Sequence, residues 1–294
     1  MFEPVWIGLC LALVSALAVN WAYTKEHDAV AALPPLTARE PLRSLALLLR
    51  SGGWLTGFAT ETAGWLVYVA ALALAPLSLV QAVSASGIAV LALLVVRGHP
   101  SRLALRERLA VGIALLGLVL LSLSLVGAKP ISHTPHGAGT LIWLAAAAGA
   151  AVALTAVRIP FSRAAALGLA AGLLFSDGDI SAKLVSFGGI WLVALAPLVA
   201  CYAAGTGVLQ AAFQHGSALT AAGIATLVTN AVPIAAGFVL FDEALPQGAQ
   251  GGLQIAAFAS IVASAGLLGS PAAARPDDRA LDGSPVYEGG TDVP

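Results

Sequence analysis

The chain has 294 residues, of which 59% are apolar and only 10% charged, with a mean hydropathy of +0.91. A soluble domain carries about 25% charged residues, so a soluble globular fold is excluded; 14 Lys+Arg against 15 Asp+Glu leave no basic field for nucleic acid. The two cysteines, Cys10 and Cys201, lie in apolar runs and give no disulfide framework. What remains is an all-α, polytopic membrane protein.

A bilayer core needs about 20 apolar helical residues per crossing. Nine such runs follow in order, about 4–24, 54–74, 77–96, 109–127, 139–157, 164–183, 188–209, 218–241 and 251–269. None shows the ten-residue alternation of a membrane barrel strand. The first run is not expected to be a cleaved signal peptide, because Met1-Phe2-Glu3-Pro4 carries no positive charge and Lys25 follows the apolar stretch. Residues 44–49 lie between Arg43 and Arg50 and are too short to cross; they read as an amphipathic stretch at the interface. Residues 270–294 hold four prolines and five acids, and read as a disordered cytoplasmic tail.

The basic residues orient the spans. With the N-terminus outside and the C-terminus cytoplasmic, twelve of the fourteen Lys and Arg fall inside, and only Lys129 and Lys183 outside. The two halves also resemble each other. In the first, Leu105-Arg106-Glu107-Arg108-Leu109 leads into a helix; in the second, Phe241-Asp242-Glu243-Ala244-Leu245 does the same. Lys25 ends the first span and Lys183 the sixth. Residues 1–269 therefore read as one membrane domain: a repeat over about 4–127, a linker helix over about 139–157, and a repeat over about 164–269. Four helices plus one linker put the second repeat into the membrane upside down. Inverted repeats around a midplane site are characteristic of secondary transporters.

Candidate site residues are polar groups placed inside spans. Glu61 lies about 10 Å into the second span at 1.5 Å per residue. A carboxylate at depth is costly and turns towards the bundle interior, so Glu61 is a candidate cation or proton site and the one candidate metal ligand. Asp177 and Asp179 fall in the sixth span within Ser176-Asp177-Gly178-Asp179, a poor helix segment expected to distort locally. Asp179 and Lys183 are spaced to pair. Asn20, Gln81, Gln210 and Asn230 lie in spans 1, 3, 7 and 8, as packing amides or as lining of a substrate path. His133 and His136 on the loop before span 5, and Asp242 and Glu243 after span 8, read as solvated. No phosphate-cradling Gly loop is followed by Lys-Ser/Thr. No catalytic or zinc constellation stands out either, so no cofactor is called for and the sequence argues against an enzyme.

Gly57-Phe58-Ala59-Thr60-Glu61, the stretch Ala73 to Gln81, and Leu105 to Leu109 followed by Gly112 and Gly117 resemble the drug/metabolite transporter (EamA-like) superfamily. Within it, nine spans and an acid in the second span are similar to the NIPA-type magnesium transporters. Lys183 and the region from Gln210 to Glu243 follow the same layout; Thr60 and Gly64 depart from it, and Asp177 and Asp179 lie outside it. The resemblance implies alternating access, Mg2+ or another cation as substrate, the lipid bilayer as surroundings, and room for a homodimer. An exporter of a small organic metabolite or drug, and a non-transporting membrane scaffold, remain the alternatives. A reporter fused after Pro294 is expected to be active only in its cytoplasmic form; activity on the outer side would refute the orientation.

Overall fold

The computed structural model describes residues 3–36, 40–74, 83–84, 87, 90–92, 94, 105–124, 137–156, 162–241 and 248–269. Among these every regular element is helical: α1 (Glu3–Ala31), α2 (Pro41–Arg50), α3 (Gly52–Leu74), α4 (Leu105–Ser124), α5 (Gly137–Ala156), α6 (Arg163–Ser186), a 3-10 turn (Gly189–Ala194), α7 (Leu195–Phe213), α8 (Ala218–Leu240) and α9 (Ala249–Gly269). Six of the described helical segments are long and apolar enough to cross a membrane. Residues 83, 84, 87, 90–92 and 94 of the third expected span are helical. Gln81, Lys129, His133, His136, Asp242, Glu243 and the tail from 270 lie outside the described residues.

The outer surface is apolar. Ile190, Ile255 and Val262 are 83%, 74% and 71% exposed. Side chains of this kind belong against lipid, not water. Inside, helices approach closely because small residues line their contacts. Gly57 and Gly64 sit on the face of α3 that meets α1: an added Cβ would strike Glu26 Cγ at 2.6 Å and Val19 Cγ2 at 2.8 Å respectively. Ser15 Oγ donates to the Gly64 carbonyl at 2.7 Å across this contact. Gly168 and Gly172 do the same for α6 against Ala221, Ala225 and Val228 of α8. Gly117 lets α4 approach α9 at Ala257 and Ser260, and Ser264 Oγ donates to the Ala110 carbonyl at 2.8 Å.

The helix ends follow ordinary capping chemistry. Ser162 and Ser217 accept from the backbone N–H groups of Ala165 and Thr220, capping α6 and α8. Arg163 donates to the Thr155 carbonyl at 2.6 Å, closing the C-terminus of α5. After α6 the chain turns at Gly188 and Gly189, both with positive φ (68° and 58°), where a glycine is favoured. The short amphipathic stretch is a helix, α2, with Pro41 at its start; Leu48 is buried while Leu42, Leu45 and Leu49 are exposed.

Two expectations are corrected. The first span runs to Ala31 instead of residue 24. Ala29, Val30 and Ala31 continue the helix until Pro34-Pro35, so Lys25, Glu26, His27 and Asp28 are helical and Glu26 is carried into the bundle. The segment Ser176-Asp177-Gly178-Asp179 does not break α6, which is continuous from Arg163 to Ser186. Tertiary contacts override the weak propensity there: Ser176 Oγ donates to the Val228 carbonyl of α8 at 3.3 Å, and Gly178 accepts the Tyr202 ring where a Cβ would stand at 2.7 Å.

The packing glycines make a stability prediction. At Gly168 an added Cβ would meet the Ala221 carbonyl oxygen at 2.5 Å, whereas at Gly112 nothing lies within 4 Å. Gly168→Ala is expected to destabilise the purified protein by about 1–3 kcal/mol. Gly112→Ala, in an exposed stretch of helix, should be neutral or stabilising by up to about 1 kcal/mol. Thermal unfolding in detergent, followed by tryptophan fluorescence, measures both.

Candidate functional site

A group of polar side chains from α1, α3 and α7 meets inside the bundle, near the C-terminal ends of α1 and α7. Buried positions on α1 repeat at one or two helical turns: Ser15, Ala22, Glu26 and Val30, with Ala12 and Ala16 on the same side. Glu26 therefore lies on the packed stripe and is completely buried. On α3, Glu61 is four residues from Gly57 and three from Gly64, so it lies on the same α1-facing side. The carboxyls of Glu26 and Glu61 face one another, with the Tyr23 hydroxyl beside Glu61. From the other half of the chain, Gln210 Nε2 on α7 donates to Glu26 Oε2. Gln210 is itself completely buried. Glu26 Oε1 and Gln210 Oε1 have no hydrogen-bond partner among the described residues.

The contact between α1 and α7 extends towards the end of both helices. Gln210, Phe213 and Gln214 form a single face of α7 at i, i+3 and i+4. Phe213 packs against Tyr23, with ring centroids 6.4 Å apart, and edge-on to His27 at 5.7 Å. His27 Nε2 lies 3.1 Å from the Gly216 carbonyl. The Gln214 side chain accepts from Leu36 N–H at 2.8 Å and donates towards the Val30, Leu33 and Pro34 carbonyls at 3.1–3.3 Å. One glutamine thus ties the segment after α1 to the α7–α8 turn.

A second polar group lies between α6 and α7. Asp179 Oδ1 accepts from the Tyr202 hydroxyl. The expected Asp179–Lys183 pair is not formed; Lys183 Nζ lies over the Phe241 ring, 4.0 Å from its centroid. Asp177 is completely buried, lies within electrostatic range of Cys201, and has no hydrogen-bond partner for either carboxyl oxygen among the described residues. Tyr202 connects the two groups: it stands near Tyr23 of α1 and near Trp65 and Tyr68 of α3.

Of the residues selected from sequence, Glu61 and Gln210 are brought together around Glu26, and Asp177 and Asp179 form the neighbouring group. Asn20 donates to its own helix at the Ala16 carbonyl (2.8 Å), and Asn230 to Thr226 (2.7 Å), so neither joins the centre through the contacts seen. Glu26, Tyr23 and Tyr202 were missed by sequence reasoning. For Glu26 the obscuring feature is the charged run Lys25 to Asp28, which imitates the end of a span. The signal that would have found it is the three-and-four spacing from Ala12 through Ala22 to Val30.

No protein-family model matches the chain, and no solved structure matches it. The chain is similar to the probable magnesium transporter NIPA9 of Arabidopsis thaliana, at 26% identity over 278 aligned positions covering 85% of this chain and 77% of that protein. That likeness over most of the chain supports a NIPA-like family. With the membrane-length apolar helices, it supports a multi-pass membrane transporter.

Glu26 depends on Gln210 for its hydrogen bond, which gives a direct test. Gln210→Leu leaves the carboxyl without its donor and should cost about 1–3 kcal/mol. Adding Glu26→Leu should restore most of the lost thermal stability, because an apolar pair needs no partner. A double variant no more stable than Gln210→Leu alone would show that the bond contributes nothing.

Proposed function

We propose that the chain is a secondary transporter of the drug/metabolite transporter type that moves Mg2+ or another divalent cation by alternating access. The observation that carries this reading is the pair of facing carboxyls, Glu26 and Glu61, inside an apolar bundle. Neither has an ion pair with a basic side chain among the described residues. Two carboxylates in such surroundings need a cation or a proton between them. With Gln210 and Tyr23 they offer hard oxygen donors from α1, α3 and α7. Mg2+ keeps several waters and takes one or two carboxylates, so a sparse oxygen site suits it as cargo.

The architecture proposed with it is nine spans, the N-terminus outside and the C-terminus cytoplasmic, with two inverted four-helix repeats joined by α5. Supporting this, the first two long helices of each half pack together, α1 with α3 and α6 with α7. The intervening α5 is largely exposed, with only Thr140 and Ala151 buried. The Glu26–Gln210 bond and the Gln214 tie then lie between the two repeats, where alternating access would open and close the protein. A static scaffold is the second reading, favoured by the complete burial of Glu26.

Uptake by reconstituted vesicles enclosing a Mg2+-sensitive dye separates the two. The wild type should transport, and Glu61→Gln and Glu26→Gln should each slow uptake by roughly tenfold or more, equivalent to about 1.4 kcal/mol. Both variants keep side-chain shape and should remain monodisperse. Undiminished uptake by Glu61→Gln would remove that carboxyl from the mechanism; no uptake by well-folded wild type would favour the scaffold.

A further inference from the structure

We propose that Asp177 is a proton-binding site separate from the cation site, and that its protonation is coupled to cation movement through α7. This rests on the transporter reading for its coupling but not for the proton site itself. Asp177 is completely buried, and both its oxygens lack a hydrogen-bond donor among the described residues. A carboxylate cannot keep its charge in such surroundings without a counter-charge.

The described surroundings supply none. The elements packed against α6 are α5, α7, α8, α9 and the Gly189–Ala194 turn. Of these, α5, α8, α9 and the turn carry no titratable side chain. On α7 the titratable groups are Cys201, within electrostatic range of Asp177, and Tyr202, which is bonded to Asp179. On α6 itself, Asp179 is two residues away, on the far side of Gly178. Lys183 is six residues away, about 9 Å along the axis and turned to another face, where it lies over Phe241. Arg163 is at the opposite end of the helix and bonds the Thr155 carbonyl.

One carboxyl with a thiol in its vicinity is too poor a ligand set for a divalent cation, which takes six or more ligands, chiefly oxygen. A proton needs only the carboxyl. When the proton leaves, the charge must be met by a movement of α7 or by entry of water or a cation. Helix α7 carries Cys201 and Tyr202 against α6 and, about 12 Å further along, Gln210 against Glu26. A shift of this one rigid helix therefore reaches the cation site.

Two measurements test the proposal. The first is the infrared carbonyl band of protonated carboxylic acid in purified protein, followed through a pH titration. Asp177→Asn should remove one titrating component, and Asp177→Glu should retain one. The second uses vesicles enclosing a pH dye and loaded with a Mg2+ gradient. Asp177→Asn should lower Mg2+-driven proton movement by about tenfold, within the usual range of coupling energies. Mg2+–Mg2+ exchange at equal pH should persist within about twofold, because Asn imitates the protonated acid. An infrared difference unchanged in Asp177→Asn would overturn the site, as would failure of that variant to fold. Retained proton movement, or loss of Mg2+ exchange with it, would overturn the coupling. If wild type moves no Mg2+, the transporter reading fails and the infrared band alone decides the proton site.

Discussion

Carboxyl groups inside an apolar helix bundle, with no basic side chain set against them, are the constraint around which this molecule is arranged. Glu26, Glu61, Asp177 and Asp179 have no ion pair among the described residues. Each must be stabilised by hydrogen bonds or by a mobile positive charge. Glu26 uses Gln210 and Asp179 uses Tyr202. Glu61 faces Glu26, and Asp177 has neither kind of partner among the described residues. Compensation is thus uneven: Asp179 has a hydroxyl donor, and Asp177 has none among the described residues.

Close helix approach makes that arrangement feasible. Gly57 brings α3 against α1 so tightly that a side chain there would collide with Glu26, and Gly178 brings α7 against α6 so tightly that only the Tyr202 ring fits. In lipid, small residues of this kind are what allow helices to pack, since hydrophobic burial gains little there. The same glycines thus fix the backbone and set the spacing of the polar groups. Substitutions at them would disturb stability and site geometry together.

Helix α7 is in contact with both α1 and α6. One of its faces meets α1 with Gln210, Phe213 and Gln214; further towards its start, Cys201 and Tyr202 meet α6. Tyr202 also stands near side chains of α1 and α3. A helix with polar contacts to both halves can transmit a change at one of them, because packed helices shift as rigid bodies between discrete arrangements.

The amino-acid sequence by itself determined the membrane character, most of the helices including the short α2, and two of the buried-site polar residues that meet, Glu61 and Gln210. These follow from local quantities: the length of apolar runs, the scarcity of charge, and the cost of any polar residue inside them. What only the tertiary structure decided is which polar groups meet. Glu26 looks like a loop residue because its neighbours Lys25, His27 and Asp28 are polar; burial depends on helix phase and on Gln210, 184 positions away. The pairing of Asp179 was expected with Lys183 from spacing alone, but Gly178 admits Tyr202 from α7 and the hydroxyl takes that place. Ser176 to Asp179 stays helical for the same reason: contacts between helices outweigh the preferences of the residues in one of them.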